Sequence, residues 1–279
     1  MMRLRLSILL TLFLFITAFP QAGPDTLRFN KSILPGEHLT LVYKPKSYDA
    51  SVKRTYPALI LLHGWSGGYK DWANNVDLQF YADKYEFLII TPEGYYSSWY
   101  LDSPIKENNR MEKFFWDIFY PFIISQYRTV PEKLFISGLS MGGHGAINYF
   151  IDNPDAFAGA GSMSGILDLT AFPENWGIKD LLGTFNPKNP AAWLNRSALN
   201  RLDKLKFYKE KPLYIECGKK DFAWKVNVAF INKAKALGLR IYTYEDDGNH
   251  DWKFWKEGIV RNLDFFSDWL NGRTPEKKD

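Results

Sequence analysis

Residues Ser137 to Gly145 read S-G-L-S-M-G-G-H-G, and Gly138 to Gly142 within them have the form G-x-S-x-G. Before the motif, Lys133-Leu134-Phe135-Ile136-Ser137 is a short apolar strand candidate. After it, Gly143 to Ile151 carries the small and apolar residues of a helix laid tightly against a sheet. A strand that turns sharply into a helix at a serine lifts the hydroxyl to the carboxyl end of the sheet, where a reacting group can approach. Glycine is needed at Gly138 and Gly142, because the turn brings backbone and helix too close for a Cβ. Ser140 is therefore the first candidate nucleophile. The bland alternative is a glycine-rich strand-to-helix turn with no chemistry.

The rest of the chain supplies the sheet that this motif demands. Leu27 to Leu34 and Glu37 to Tyr43 read as two antiparallel strands around Pro35-Gly36. Tyr56 to Leu62 and Phe87 to Thr91 are nearly continuous apolar runs, as buried parallel strands are. Asn74 to Lys84 suits a helix, and Met111 to Tyr127 suits another, kinked at Pro121. Strands near Ala158 to Met163, Leu213 to Cys217 and Arg240 to Tyr244 follow, with helices over Val226 to Leu237 and Phe254 to Leu270. This alternation predicts an α/β fold, a mostly parallel central sheet with helices on both faces. Two segments interrupt it. Gly94 to Arg110 is irregular and rich in aromatic residues, and an insertion over about 166–207 carries Trp176 and Trp193 among many Asn, Lys and Pro residues. Long loops of this kind are usually functional. On an open α/β sheet both would lie near the carboxyl ends of the strands, beside Ser140.

Arg3 and Arg5 precede Leu6 to Phe19, an apolar run broken only by Ser7, Thr11 and Thr17, and small residues follow at Ala18, Ala22 and Gly23. The pattern predicts a secretory signal peptide over residues 1–22 and export to the periplasm or outside the cell. The run falls short of the roughly 18–20 apolar residues of a spanning helix, so no stable membrane anchor is expected after cleavage. Residues 23–279 are enough for one large α/β domain. The formal charge is +4, two of it from Arg3 and Arg5, so nothing points to a nucleic-acid partner. Cys217 is the only cysteine, which excludes an intrachain disulfide and reads as a buried thiol. No H-E-x-x-H or clustered Cys/His pattern occurs, so neither a metal nor a cofactor is expected.

A serine hydroxyl needs a histidine base at neutral pH, and the histidine needs a carboxylate to orient it. In α/β-hydrolases the order along the chain is serine, acid, histidine. His250 fits, in the turn-rich loop Asp246-Asp247-Gly248-Asn249-His250-Asp251 between the last strand and the last helix. His38, in the amino-terminal hairpin, is expected on the surface. His63 reads as a scaffold for its loop, and His144 as a packing residue on the elbow helix. Asp221 follows the strand Leu213 to Cys217 by a short loop, which puts its carboxylate level with the serine. Asp246, Asp247 and Asp251 lie too near His250 along the same loop to aim easily at its ring, and Asp203 lies in the insertion. An oxyanion hole needs two backbone N–H groups. Met141, directly after the serine, would give one, and the loop His63-Gly64-Trp65-Ser66-Gly67-Gly68 the other. Aromatic residues make up 17% of the chain. Trp65, Tyr95, Trp99, Trp176 and Trp252 are the candidates for rings that stack on a substrate.

Gly138 to Gly145, together with H-G-W-S-G-G, C-G-K-K-D and G-N-H-D-W, resemble the esterase D and feruloyl esterase branch of the α/β-hydrolases. That branch includes carbohydrate esterase family one, S-formylglutathione hydrolases and mycolyltransferases. The four motifs occur in the right order, and the likeness runs over nearly the whole chain after residue 22. The resemblance implies Ser140, Asp221 and His250 as the triad and the amides of Trp65 and Met141 as the oxyanion hole. It implies a serine esterase working through an acyl-enzyme, and export, the complete triad and the aromatic loops point to acyl or feruloyl esters of plant polysaccharides or oligosaccharides as its substrates. The alternatives are a general short-acyl esterase, a thioesterase like the S-formylglutathione hydrolases, and a non-catalytic binding member of the fold.

Overall fold

A computed structural model of the chain describes residues 23–273, and the expected signal peptide over residues 1–22 lies outside them. Strand β1 (Asp25–Phe29) pairs antiparallel with β2 (His38–Tyr43) across the Pro35-Gly36 turn. The apolar runs become β3 (Ala58–Leu62), β4 (Leu88–Pro92), β5 (Leu134–Gly138), β6 (Gly159–Met163), β7 (Leu213–Glu216) and β8 (Ile241–Tyr244). Their order in one eight-stranded sheet is β1-β2-β4-β3-β5-β6-β7-β8. β2 meets β4 antiparallel, and from β4 to β8 every pairing is parallel. β5 thus lies inside the sheet, and β8 is an edge.

Successive residues of a strand point to opposite faces. Ala58, Ile60, Leu62, Leu134 and Ile136 face one apolar cluster with Ala146, Ile147 and Phe150 of the helix Met141–Asp152. Leu59, Leu61 and Phe135 face a second cluster with Ile259, Leu263 and Phe266 of the helix Trp252–Leu270. Both faces are covered, which is why these strands read as unbroken apolar runs. This is the α/β-hydrolase arrangement, and the carboxyl ends of β3, β4, β5, β7 and β8 all open on one rim.

Three segments depart from the pattern read in the sequence. The helix expected over Asn74 to Lys84 is two helices, Asp71–Asn75 and Leu78–Tyr85. Asp77 breaks it, because its carboxylate accepts from the Phe80 N–H at 3.0 Å and starts a new helix. The helix expected to kink at Pro121 instead widens into a π-turn over Phe115–Phe119 before continuing as Tyr120–Gln126. Pro121 has no N–H to return to the Asp117 carbonyl, and the wider turn makes room for its ring. The insertion holds short helical turns at Leu169–Ala171, Lys179–Leu182, Ala191–Leu194, Ala198–Arg201 and Leu202–Phe207. Leu169, Ile178, Leu181, Trp193 and Leu202 sink from it into the same core as β3 and β5. Among the described residues no helix is long and apolar enough to cross a membrane.

At the elbow Ser140 has φ 51° and ψ −114°, a conformation sparsely populated by residues with a Cβ and costing about 1–3 kcal/mol. The neighbours hold it there. A Cβ at Gly138 would meet the Gly142 backbone at 2.6 Å, and one at Gly142 would meet the His63 carbonyl oxygen at 2.6 Å. Those obstacles are backbone, so they cannot swing aside. Gly142→Ala is expected to destabilise the fold by about 3 kcal/mol or more, measured as a fall in the urea midpoint. A variant as stable as the wild type would contradict the tight elbow.

Candidate active site

Ser140 stands just past β5, Asp221 past β7 and His250 past β8, so three separate loops must converge for them to meet. They do. His250 Nε2 lies 2.9 Å from Ser140 Oγ, and His250 Nδ1 lies 2.9 Å from both Asp221 carboxylate oxygens. A carboxylate accepts, so Nδ1 carries the proton and Nε2 is left to receive that of the serine. The Asp221 side chain is fully buried, while that of His250 is 15% exposed. Asp221 Oδ1 also accepts from the Ala223 N–H at 2.7 Å, which fixes the carboxylate in plane.

The loops that carry Asp221 and His250 are tied to each other. Lys219 N–H donates to the Asp246 carbonyl at 2.7 Å, and Lys220 N–H to the Gly248 carbonyl at 3.1 Å. Gly218 packs so closely on Gly248 that a Cβ on it would strike the Gly248 carbonyl. The other aspartates of this region have different partners. Asp246 Oδ1 accepts from the Gly248 N–H at 2.6 Å. Asp251 Oδ1 caps the last helix by accepting from the Phe254 N–H at 3.1 Å. Asp247 is exposed, 3.5 Å from Lys220 Nζ, and Asp203 pairs with Lys233 at 2.7 Å.

The loop after β3 packs on the elbow: a Cβ on Gly64 would lie 3.6 Å from the Ser140 Cβ. His63 sets its conformation. The Gly94 N–H can only donate, and it lies 2.7 Å from His63 Nε2, so Nδ1 bears the hydrogen and donates to the Gly64 carbonyl at 2.8 Å. The Gly64 carbonyl and the Trp65 N–H belong to one planar trans peptide and point in opposite directions. Holding the one therefore aims the other. Among the described residues neither the Trp65 N–H nor the Met141 N–H has a backbone acceptor. His63→Ala is expected to lower kcat by about 10- to 100-fold, less than outright loss of an oxyanion donor, with a smaller effect on KM. Unchanged kcat in a folded variant would show that the peptide keeps its orientation unaided.

Two histidines are buried apart from this chemistry. His144 is enclosed, its Nδ1 3.2 Å from the Ile166 carbonyl, and burial pushes its pKa down to about 3. His38 was expected on the surface, but it is buried. Its ring lies 4.5 Å from Phe114 and 5.8 Å from Phe29, and burial lowers its pKa to about 4. Aromatic residues distant in sequence close over the hairpin, which hairpin sequence alone does not reveal. Cys217 is buried, and burial raises its pKa.

The five aromatic candidates separate. Trp65 is half-buried, with its ring 4.9 Å from exposed Tyr96. Trp176 is half-buried beside Phe222 at 5.3 Å. The other three are corrected. Trp99 is 1% exposed and packs on His144 at 5.5 Å, so it props the loop and offers no face to a substrate. Tyr95 turns to the hairpin, where its hydroxyl donates to the Gly36 carbonyl at 2.8 Å. Trp252 packs between Trp72 at 5.1 Å and Trp255 at 5.5 Å, on the face of the sheet away from the insertion. Sequence reading missed Phe222, whose ring lies 4.1 Å from that of His250. The available signal was its place directly after Asp221.

Comparison with known proteins bears on the family and the fold. The profile of the Esterase family, described as "Putative esterase", matches residues 32–266. The acetyl esterase of Caldicellulosiruptor saccharolyticus is 29% identical over 225 residues, covering 75% of this chain and 82% of its own length. The diacylglycerol acyltransferase/mycolyltransferase Ag85A of Mycobacterium tuberculosis is 25% identical over 273 residues, covering 81% of this chain and 79% of its own. Among solved structures, a ferulic acid esterase matches with a TM-score of 0.74 and 25% identity, over 88% of this chain and 97% of its own. The S-formylglutathione hydrolase of Agrobacterium tumefaciens shares the fold, with a TM-score of 0.73 at 18% identity over 88% of this chain and 94% of its own. The chain belongs to the Esterase family, and it is a serine carboxylic-ester hydrolase.

Proposed function

We propose that Ser140, His250 and Asp221 are the nucleophile, base and orienting acid of an exported esterase that removes acyl or feruloyl groups from plant polysaccharide or oligosaccharide esters. The observation that carries the mechanism is the unbroken line from Asp221 through His250 to Ser140, each contact at 2.9 Å. As Ser140 Oγ attacks the ester carbon, its proton passes to His250 Nε2, and the carbonyl oxygen takes up negative charge facing the Trp65 and Met141 N–H groups. Each such donor is worth roughly 3–4 kcal/mol of barrier. The tetrahedral centre collapses, the C–O bond to the alcohol breaks, and the imidazolium returns its proton to the departing oxygen. Water then repeats the sequence on the acyl-enzyme and frees Ser140.

The substrate class rests on other support. The likeness to an acetyl esterase and a ferulic acid esterase favours small acyl or hydroxycinnamoyl groups. The pattern over residues 1–22 favours export, which suits a polymer outside the cell. The test is an ester panel: feruloylated and acetylated xylo-oligosaccharides against p-nitrophenyl acetate and S-formylglutathione, with fluorophosphonate labelling alongside. Higher kcat/KM on the oligosaccharide esters is expected. A preference for the thioester, or for simple short esters, would replace the carbohydrate reading, and failure of Ser140 to label would favour a binding protein.

A further inference from the structure

Phe222 follows the buried Asp221 directly yet turns outward, 49% exposed, with its ring 4.1 Å from that of His250 and tilted by 35°. The insertion brings two more rings to it. Trp176 lies 5.3 Å from Phe222, and Phe172 lies 5.2 Å from Trp176 and 6.0 Å from Phe222. Trp176 is held at φ 52°, a left-handed conformation that a tryptophan adopts only when its surroundings impose it. Trp99 helps to impose it, since its indole N–H donates to the Trp176 carbonyl at 3.1 Å. The result is a continuous aromatic shelf that starts on the histidine ring and runs onto the insertion. The folded chain gains little from leaving Phe222 in water, so the shelf reads as a surface kept for something else.

The chemistry gives the shelf a side. The proton that His250 accepts must go on to the oxygen of the departing alcohol, so that oxygen comes within hydrogen-bond reach of Nε2. The carbonyl oxygen is drawn the other way, toward the Trp65 and Met141 amides. A ring packed against the imidazole is thus a near neighbour of the leaving group. Resting on the triad reading above, we propose that Phe222, Trp176 and Phe172 form a leaving-group subsite for a flat-faced ring alcohol. The C–H face of a pyranose and an aryl ring share that chemistry, since both lay a weakly polar face on an aromatic side chain. The enzyme then selects its ester by the alcohol as well as by the acyl group.

Trp176→Ala is the informative variant, because Trp176 is in the shelf without touching Ser140 or Asp221. Three ratios of kcat/KM are read. With acetyl fixed, benzyl acetate and methyl 2-O-acetyl-xyloside are each compared with methyl acetate. With methanol fixed, methyl ferulate is compared with methyl acetate. The shelf predicts that the alcohol ratios fall by about 3- to 10-fold while the acyl ratio keeps its wild-type value. The benzyl and xyloside arms report which kind of ring the shelf prefers. A fall in the acyl ratio, or no change in either, overturns the proposal. Trp176→Leu serves if the alanine variant does not fold, and Phe222→Leu repeats the measurement at the other end of the shelf. Turnover of methyl acetate that persists in Ser140→Ala would sink the triad reading instead, so the two failures are distinguishable.

Discussion

A Ser140→Ala chain is expected to fold as the wild type does and to lose ester turnover by roughly 10⁴- to 10⁶-fold in kcat. The change removes one oxygen and leaves the Cβ, so the strained elbow at φ 51° is retained and stability should move by no more than about 0.5 kcal/mol. What remains is binding and the two amides at the rim, which still favour the tetrahedral centre over water. Steady-state kinetics on p-nitrophenyl acetate, with circular dichroism as the folding control, measure the loss. Retention of more than a tenth of wild-type activity would show that another group attacks the ester.

Asp221→Asn should come second, with a loss that approaches about 10⁴-fold on an unactivated ester. Asparagine fits the buried site and can still accept from the Ala223 N–H, so the loop is kept. Its amide, however, presents hydrogens to His250 Nδ1 and turns the imidazole to the tautomer with the proton on Nε2. That ring can no longer take the proton of Ser140. An activated ester should lose less, because its leaving group needs little protonation. Asp251→Asn should cost mainly some helix stability, since Asp251 caps the last helix, and Asp247→Asn very little. If Asp247→Asn proved the crippling change in parallel kinetic runs, the acid would lie on the histidine loop itself.

The sheet was largely legible in the sequence because its strands are buried on both faces. Runs such as Ala58–Leu62 and Leu134–Gly138 are apolar apart from the buried Ser137, so little confuses the period. The convergence of Ser140, Asp221 and His250 was legible for a related reason: each follows a strand, and parallel strands deliver their carboxyl ends to one rim. What escaped depends on contacts between segments far apart in sequence. His38 is buried because Phe114 and Phe119 fold over it from more than seventy residues away. Trp99 and Tyr95 carry the composition of a binding loop, yet their neighbours consume them as props. Phe222 gave no periodic signal, only its place after Asp221, and its contacts with His250, Trp176 and Phe172 are what distinguish it from any exposed phenylalanine.

The placement of β8 at the sheet's edge bears on how the enzyme fails. β8 is paired on one side only, by β7, and its side chains are mostly half-exposed. The loop after it carries His250, and the ties from Lys219 and Lys220 join that loop to the one that carries Asp221. Amide exchange and proteolysis commonly reach such margins through local openings that cost less than global unfolding. An opening at β8 would take His250 away from both partners, while Asp221 and Ser140, each following an interior strand, stayed in place. Heat should therefore silence the enzyme reversibly a few degrees before it melts, with a serine still correctly presented and nothing left to deprotonate it.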